Sequence, residues 1–318
     1  MSTIQNLPAL VCKQFKAAQA SGDITFFETR VSILHCEGLP FQLRFSPALA
    51  NKPKSNKLSD SKSIDPFENP PKGLFVTDLS PSHFLVLNKF PVIPNHFILA
   101  TKTFKQQTDP LEQDDLEAAY ACMKAYRENG EELFGFFNSG EASGASQPHR
   151  HIQFLPVESM RNGIQEGGNW EVLADRLINT LEPVLPFAYF ANPLTKDPTP
   201  KDLHDIYTSL LERCVAVAKR SDDMNSGLSP EKMPFSYNLC LTNQAMVLCP
   251  RLSEGSKIKA NNGDLVGPIL LNGTILGGTL LVKSEQEWDA FRNDEEKLKD
   301  ILLAIGVPPA TDAKGGKL

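Results

Sequence analysis

Apolar residues recur at helical spacing in some stretches of the chain and alternate with polar ones in others. Over residues 3–20, Ile4, Leu7, Leu10, Val11 and Phe15 fall on one face, which predicts an amphipathic helix. Residues 25–45 (FETRVSILHCEGLPFQLRFS within them) alternate as strands do. Residues 83–101 (HFLVLNKFPVIPNHFILAT) hold two apolar runs around Pro91 and Pro94, which predicts strand, bend, strand. A helix over 110–129 follows: Asp109-Pro110 opens it, Leu116, Ala119, Tyr120 and Met123 share a face, and Gly130 closes it. Residues 133–139 (LFGFFNS) read as a short buried strand, 140–147 as a loop, and PHRHIQFLPV as a second strand. Helices are expected around 170–181 and 202–219, then strands in YNLCLTNQAMVLCPR and in the Gly-rich LLNGTILGGTLLV. A last helix starts at a capping box of Ser284 and Glu287, carries Trp288, Phe291, Leu298, Ile301, Leu302 and Ile305 inward, and ends at Gly306 before Pro308.

Helices and strands mix here without a regular βαβ alternation. The expected fold class is therefore α+β, with a mainly antiparallel sheet and flanking helices. Residues 46–63 (SPALANKPKSNKLSDSKS) are polar, Lys- and Ser-rich, and read as an exposed loop. Residues 1–306 are expected to form one domain and 307–318 a disordered tail.

Charge narrows the list of partners. Lys+Arg 32 against Asp+Glu 38 gives a net charge of -6, which offers no basic field for nucleic acid or anionic lipid. No run approaches the roughly 18–20 apolar residues that span a bilayer, and the N-terminus lacks the basic start and apolar block of a signal peptide. The six cysteines, Cys12, Cys36, Cys122, Cys214, Cys240 and Cys249, are irregularly spaced and form no C-x-x-C pair. Buried reduced thiols and a cytoplasmic protein are the expectation. Neither a P-loop nor a G-x-G-x-x-G turn occurs, which excludes those nucleotide sites.

The informative segment is His149-Arg150-His151-Ile152-Gln153. On a strand, side chains alternate, so His149, His151 and Gln153 share one face and Arg150 and Ile152 the other. Polar groups stacked on one face are costly if buried without partners. Three readings are open: an exposed strand, a metal site, or a nucleophilic imidazole. The second lacks an adjacent Cys or paired carboxylate to complete a shell. The third requires one ring nitrogen free to attack and the other held by an acceptor. The preceding Gly and Ser residues allow backbone N–H groups to approach phosphate oxygens closely.

The stretch S-G-A-S-Q-P-H-R-H-I-Q-F-L-P resembles the active-site strand of the histidine-triad superfamily, in the branch that ends in Gln. With S-P-A-L-A-N-K-P, D-P-F-E-N-P, L-N-K-F-P-V-I-P-N-H-F-I-L-A-T and the late N-G-T…T…K in the same order, the chain is similar to diadenosine tetraphosphate phosphorylases, the fungal-type ATP adenylyltransferases. The resemblance implies a histidine-triad-like nucleotidyltransferase fold with added N- and C-terminal elements. It implies reversible phosphorolysis of diadenosine tetraphosphate to ADP and ATP, with AMP carried on His151. His149 would orient the strand and the phosphate pocket, and Gln153 would contact phosphoryl oxygens. Substrate contacts would come from Lys52, the pair Asn88 and Lys89, Asn138, and the loop residues Gly144, Ala145, Ser146 and Gln147. Asn272, Gly273, Thr274, Thr279 and Lys283 would supply the C-terminal ones, although Asn272-Gly273 is equally a hairpin turn signal. Asn88 has an alternative too, as the cap of a turn before Pro91, while Lys52 and Lys89 could be ordinary surface lysines. His96 falls at a superfamily position that is structural; His35, His83 and His204 sit in no motif.

The implied partners are small molecules: diadenosine polyphosphates, ATP, ADP, AMP and phosphate, bound by a monomer. No tightly bound cofactor and no protein metal site are implied, while Mg²⁺ can arrive with the polyphosphate. Adenosine phosphosulfate is an implied side substrate. Two rivals are a hexose-1-phosphate uridylyltransferase, which has H-P-H and Cys-x-x-Cys zinc ligands, and a nucleotide-binding sensor without catalysis.

Overall fold

The computed structural model describes residues 6–51, 65–165, 168–180, 184–222, 236–260 and 263–309. The first element, α1 (Leu7–Ser21), buries Leu7, Val11, Phe15 and Ala18 and stops where Gly22 turns left-handed. The hairpin of β1 (Arg30–Cys36) and β2 (Leu39–Phe45) follows. Its two-residue turn, Glu37-Gly38, has positive φ at both positions, the twist that suits flanking strands. Then come β3 (Phe75–Asp78), β4 (His83–Leu87), β5 (Phe97–Thr101), α2 (Gln113–Glu128), β6 (Leu133–Ser139), β7 (His151–Pro156) and the short helices α3 (Val157–Arg161) and α4 (Leu173–Leu177). The second half supplies β8 (Phe190–Pro193), α5 (Pro200–Asp222), β9 (Ser236–Leu241), β10 (Ala245–Arg251), β11 (Gly255–Lys259), β12 (Leu265–Leu270), β13 (Thr279–Val282), α6 (Glu285–Asn293) and α7 (Glu296–Ile305).

Eight strands form one antiparallel sheet in the order β3-β4-β5-β7-β6-β9-β10-β8, so strands from both halves of the chain meet in its middle. A three-stranded sheet, β1-β2-β13, and the pair β11-β12 lie apart from it. Alternation along the central strands divides the core. Phe137, Met246 and Leu248 join the layer with α1, α2 and α5, whereas Phe134, Phe136, Ala245, Val247 and Cys249 join the layer with α4, α6, α7 and the small sheet. The α+β class and the antiparallel sheet agree with the pattern of the sequence.

Six boundaries differ from that pattern. The helix expected from residue 110 starts at Gln113, because Glu112 and Asp115 form the capping box that satisfies its first turn. The helix expected over 170–181 is limited to Leu173–Leu177. The stretch LLNGTILGGTLLV forms its strand only at Thr279–Val282 (β13); Gly273–Gly277 is a turn of 3₁₀ helix between β12 and β13, which do not pair. Asn272 caps that turn by accepting from the Thr274 N–H, so it is no hairpin turn. The final helix is two helices, broken at an extended Asp294. The segment 46–63 begins with an ordered 3₁₀ turn, Pro47–Asn51, with Leu49 buried; from Lys52 to residue 64 it lies outside the described residues. The fold also continues past Gly306, since Val307 is buried and its carbonyl accepts from the Ala188 N–H at 2.7 Å.

Candidate active site

The strand β7 runs between β5 and β6, and His151 opens it opposite Ala100. Pairing with β6 ends at Phe136 and Gln153. Beyond that point β6 continues alone with β9 as far as Ser139 and Tyr237, and the two strands fork. A side chain fills the fork. Gln107 Oε1 accepts from the His151 N–H at 2.8 Å, and its Nε2 donates to the carbonyls of Asn138 at 2.8 Å and His151 at 3.2 Å. The amide thus replaces the missing ladder bonds and satisfies buried backbone groups that would otherwise be costly.

Both histidines are buried, His149 at 1% and His151 at 3% exposure, which removes the exposed-strand reading. His151 Nδ1 lies 2.8 Å from the His149 carbonyl. A carbonyl only accepts, so Nδ1 carries the proton and the lone pair resides on Nε2. Burial pulls the His151 pKa down from 6.5 to about 4, opposed only in part by the hydrogen bond to the His149 carbonyl. The ring is therefore a neutral base near pH 7, with one nitrogen held and the other carrying a free electron pair. Phe67 lies against it, with ring centroids 5.1 Å apart.

The ring of His149 is held at both ends. Nδ1 is 2.6 Å from Asp65 Oδ2, while Nε2 is 2.8 Å from the Thr101 carbonyl and 2.9 Å from Thr101 Oγ1. With both nitrogens occupied, His149 contributes geometry and offers no ring nitrogen to a ligand. On the opposite face of the strand, Arg150 Nη1 donates to Asp115 at 2.7 Å and to Glu112 at 3.0 Å. Asp115 Oδ1 also meets His83 Nε2 at 2.8 Å, both side chains 2% exposed. Gln153 is half-buried, and its Oε1 lies 3.1 Å from His96 Nε2. A proton on that nitrogen fixes the amide with its NH₂ end turned away from His96 as a donor.

The remaining residues named above divide into two groups. Asn138 Oδ1 accepts from the Gly273 N–H at 2.8 Å and from Asn238 Nδ2 at 2.9 Å, which joins β6 to the 3₁₀ turn of the C-terminal half. A Cβ on Gly273 would meet Asn138 Oδ1 at 2.8 Å, and one on Gly144 would meet Asn272 at 2.7 Å; Gly144 also has φ +80. Only glycine permits this approach of the loop to the turn. Asn138, Gly144, Asn272, Gly273 and Thr274 are thus one cluster, with Thr274 Oγ1 bonded to Asn272 Oδ1 and the Thr279 carbonyl. Thr279 is itself buried, and its Oγ1 has no partner among the described residues. Of the loop, Ala145 and Gln147 are half-buried and Ser146 is exposed.

Asn88, Lys89 and Lys283 sit at the periphery of these contacts. Asn88 Oδ1 accepts from the Phe90 N–H at 2.8 Å, the turn-capping role, while its Nδ2 reaches to 3.5 Å from His96 Nε2. The Lys89 side chain is exposed and reaches over the Phe90 ring at 5.6 Å. Lys283 is exposed at the end of β13, where its N–H donates to Glu287. Lys52 lies outside the described residues.

Four residues that hold the site take no role from the sequence: Asp65 and Thr101, at the ends of the D-P-F-E-N-P and L-N-K-F-P-V-I-P-N-H-F-I-L-A-T stretches, and Gln107 and Asp115, which lie in no motif. Their partnerships carry no signal in a single sequence, because each contact spans 35 to 84 residues along the chain. Among the described residues no group of three His, Cys, Asp or Glu side chains is placed to hold a metal ion. Two cavities of about 610 and 620 Å³ lie at other places, one by Thr29, Arg30 and Trp288, the other by Glu132, Asp175 and Gln244. Neither includes His151 in its lining. No helix among the described residues is long and apolar enough to cross a membrane.

Comparison with known proteins agrees with the motif resemblance. Residues 2–166 match the model of the Ap4A phosphorylase N-terminal domain, and 183–308 that of the ATP adenylyltransferase C-terminal domain. The chain is 32% identical over 337 residues to diadenosine 5',5'''-P1,P4-tetraphosphate phosphorylase 2 of Saccharomyces cerevisiae, covering 98% of this chain and 97% of the relative. Among solved structures it is similar to yeast Ap4A phosphorylase Apa2, with TM-score 0.79 and 25% identity over 97% of this chain and 100% of that one. The same relative in complex with Ap4A gives a TM-score of 0.76 at 25% identity, again over 97% and 100% of the two chains.

Proposed function

The chain belongs to the Ap4A phosphorylase family, and on that premise we propose that it cleaves diadenosine tetraphosphate with phosphate, yielding ADP and ATP, through an adenylyl group carried on His151. The observation that supports this most directly is the state of one ring: His151 is buried and neutral, with Nδ1–H taken by the His149 carbonyl and the Nε2 electron pair without a partner among the described residues. In the first step that pair forms a bond to the α-phosphorus. The Pα–O bond breaks, and its electrons leave with ATP. The ring, now substituted at Nε2, keeps its Nδ1–H on the His149 carbonyl, which stabilises the positive charge it has gained. Phosphate then attacks the same phosphorus, the N–P bond breaks, ADP departs and the neutral ring returns. A polyphosphate is already a weak base, so no strong general acid is required of the protein.

The other residues take roles consistent with their places. Gln153 presents its NH₂ group to a phosphoryl oxygen, and His96 sets which end of the amide does so. Asn138, Gly144, Asn272 and Gly273 shape the wall that carries the loop Ala145, Ser146 and Gln147 toward the phosphates. Lys52, Lys89 and Lys283 supply cationic charge for the polyphosphate, with Asn88, Thr274 and Thr279 as further contacts. The substrates are nucleotides, the protein acts as a cytoplasmic monomer, and nucleic acid and membranes are not its partners. Adenosine phosphosulfate is a side substrate with the same attacked phosphorus.

The test is mass spectrometry of protein mixed with the dinucleotide in phosphate-free buffer. One added AMP on the peptide that contains His151, lost on addition of phosphate with formation of ADP, is expected. Turnover without any such adduct would refute the covalent route.

A further inference from the structure

We propose that Asp65 is a positioning residue for His151 and acts through the ring of His149. The inference rests on the reading of His151 given above, and it concerns a residue of the D-P-F-E-N-P stretch to which the resemblance gives no role. Three observations carry it. First, the Asp65 carboxylate is itself fixed: Oδ1 accepts from the Phe67 N–H at 2.9 Å, which leaves Oδ2 directed at His149 Nδ1, 2.6 Å away. Second, the far side of the His149 ring is tied to Thr101, so the ring is held between two anchors and cannot rotate. Third, the residue that owns this ring also owns the carbonyl that takes His151 Nδ1–H. Loss of the anchor frees the His149 backbone to shift, and that shift moves the carbonyl on which the His151 tautomer depends. The effect is transmitted through one side chain and one peptide group.

The segment Asp65-Pro66-Phe67 does a second thing at the same place. The Phe67 ring stands edge-on to His149 at 5.6 Å and lies tilted over His151 at 5.1 Å. Three consecutive residues thus deliver both the carboxylate that aims the pair and the apolar cover that keeps water from it.

The experiment compares Asp65→Ala, Asp65→Asn, His149→Ala and the double variant Asp65→Ala/His149→Ala in phosphorolysis of diadenosine tetraphosphate. Displacing a nucleophile by a fraction of an ångström to one ångström costs about ten- to a hundredfold in rate. Asp65→Ala should lower kcat by about that factor with KM changed less than about threefold, and Asp65→Asn, which keeps an acceptor, should recover part of the loss. The double variant should be no slower than His149→Ala alone, since both changes break one relay. In ¹⁵N-histidine NMR, His151 should be a single Nδ1–H tautomer in the parent protein and a mixture in Asp65→Ala. An unchanged kcat, a rise in KM alone, or multiplicative losses in the double variant would overturn the proposal. So would an unaltered His151 tautomer. That spectrum reads the relay even where His151→Ala retains activity, the separate result that would remove the covalent reading. Should Asp65→Ala fail to fold, Asp65→Asn and its combination with His149→Ala carry the same comparison.

Discussion

Acidification tests the state of the proposed nucleophile, the ring of His151, without altering a residue. Burial holds His151 at about 4 where an ordinary imidazole titrates near 6.5. At pH 5, about nine-tenths of a group with the lower value is neutral, against about 3% of one with the ordinary value, a difference of roughly thirtyfold. Formation of the AMP adduct should therefore run at constant kcat/KM from pH 8 to about 5 and decline only below about 4.5. The assay is a single-turnover reaction with diadenosine tetraphosphate and no added phosphate, quenched at short times, with adduct counted by mass spectrometry. That dinucleotide has only internal phosphates, which stay ionised over the whole range, and kcat/KM reports the free enzyme. An acid limb centred near pH 6.5 would refute the argument. Thermal or denaturant stability is the wrong readout. Because the folded ring binds its proton less readily than the unfolded one, stability is complete above 6.5 and falls by up to about 3 kcal/mol as pH drops to 4. Asp175, which burial raises from 3.8 to about 6, acts with the opposite sign in the same window, holding its proton in the fold more firmly than the unfolded chain does. The two contributions offset each other in a melt, while only one of them bears on the rate.

Three further outcomes are expected. His151→Ala should keep less than about a hundredth of the parent kcat, a loss of more than roughly 3 kcal/mol of barrier stabilisation, while AMP still binds by calorimetry. Gln153→His should raise the AMP:ADP product ratio at fixed phosphate, because an imidazole can pass a proton to and from water and an amide cannot; an unchanged ratio in a variant that forms the adduct would limit Gln153 to positioning. Arg150→Met leaves Asp115 with His83 but without its guanidinium, and should cost on the order of 3–5 kcal/mol in urea unfolding, where a loss below about 1 kcal/mol would show the pair to be well hydrated.

The strands β1, β2, β4, β5, β6, β7, β9 and β10 and the longer helices were legible because one period dominates each of them, whereas β3, β8, β11 and β12 were not expected from the sequence. The run FILAT and the alternation in PHRHIQFLPV needed only the pleat, and Ser284 with Glu287 formed the capping box that their spacing suggests. Errors arose where two local signals compete. Asn272-Gly273 suits a tight turn between strands, yet the side chain of Asn272 starts a 3₁₀ turn because Gly273 must pack under Asn138. The apolar face over 285–305 continues in phase through Asp294, so periodicity alone could not show the break. The candidate site stood out as three polar groups, His149, His151 and Gln153, on one face of an apolar strand. Its supports did not: Asp65 and Thr101 fall in stretches that carry the resemblance, but their grip on His149, like that of Gln107 on His151, exists only once the chain returns to them.

The amide of Gln107 sets a tolerance for chain length. Thr101 grips the ring of His149, Gln107 sits between the backbones of Asn138 and His151, and residues 102–106 are the tether that joins these two grips. Such a connection, exposed enough to leave Phe104 54% accessible, would ordinarily accept an added or deleted residue. Here the tether must arrive in register at both ends. One residue more or less would draw the peg from between the diverging strands and strand one buried N–H and two carbonyls, at roughly 1–3 kcal/mol each. A length polymorphism in this surface segment would therefore be felt in the interior, beside the ring of His151.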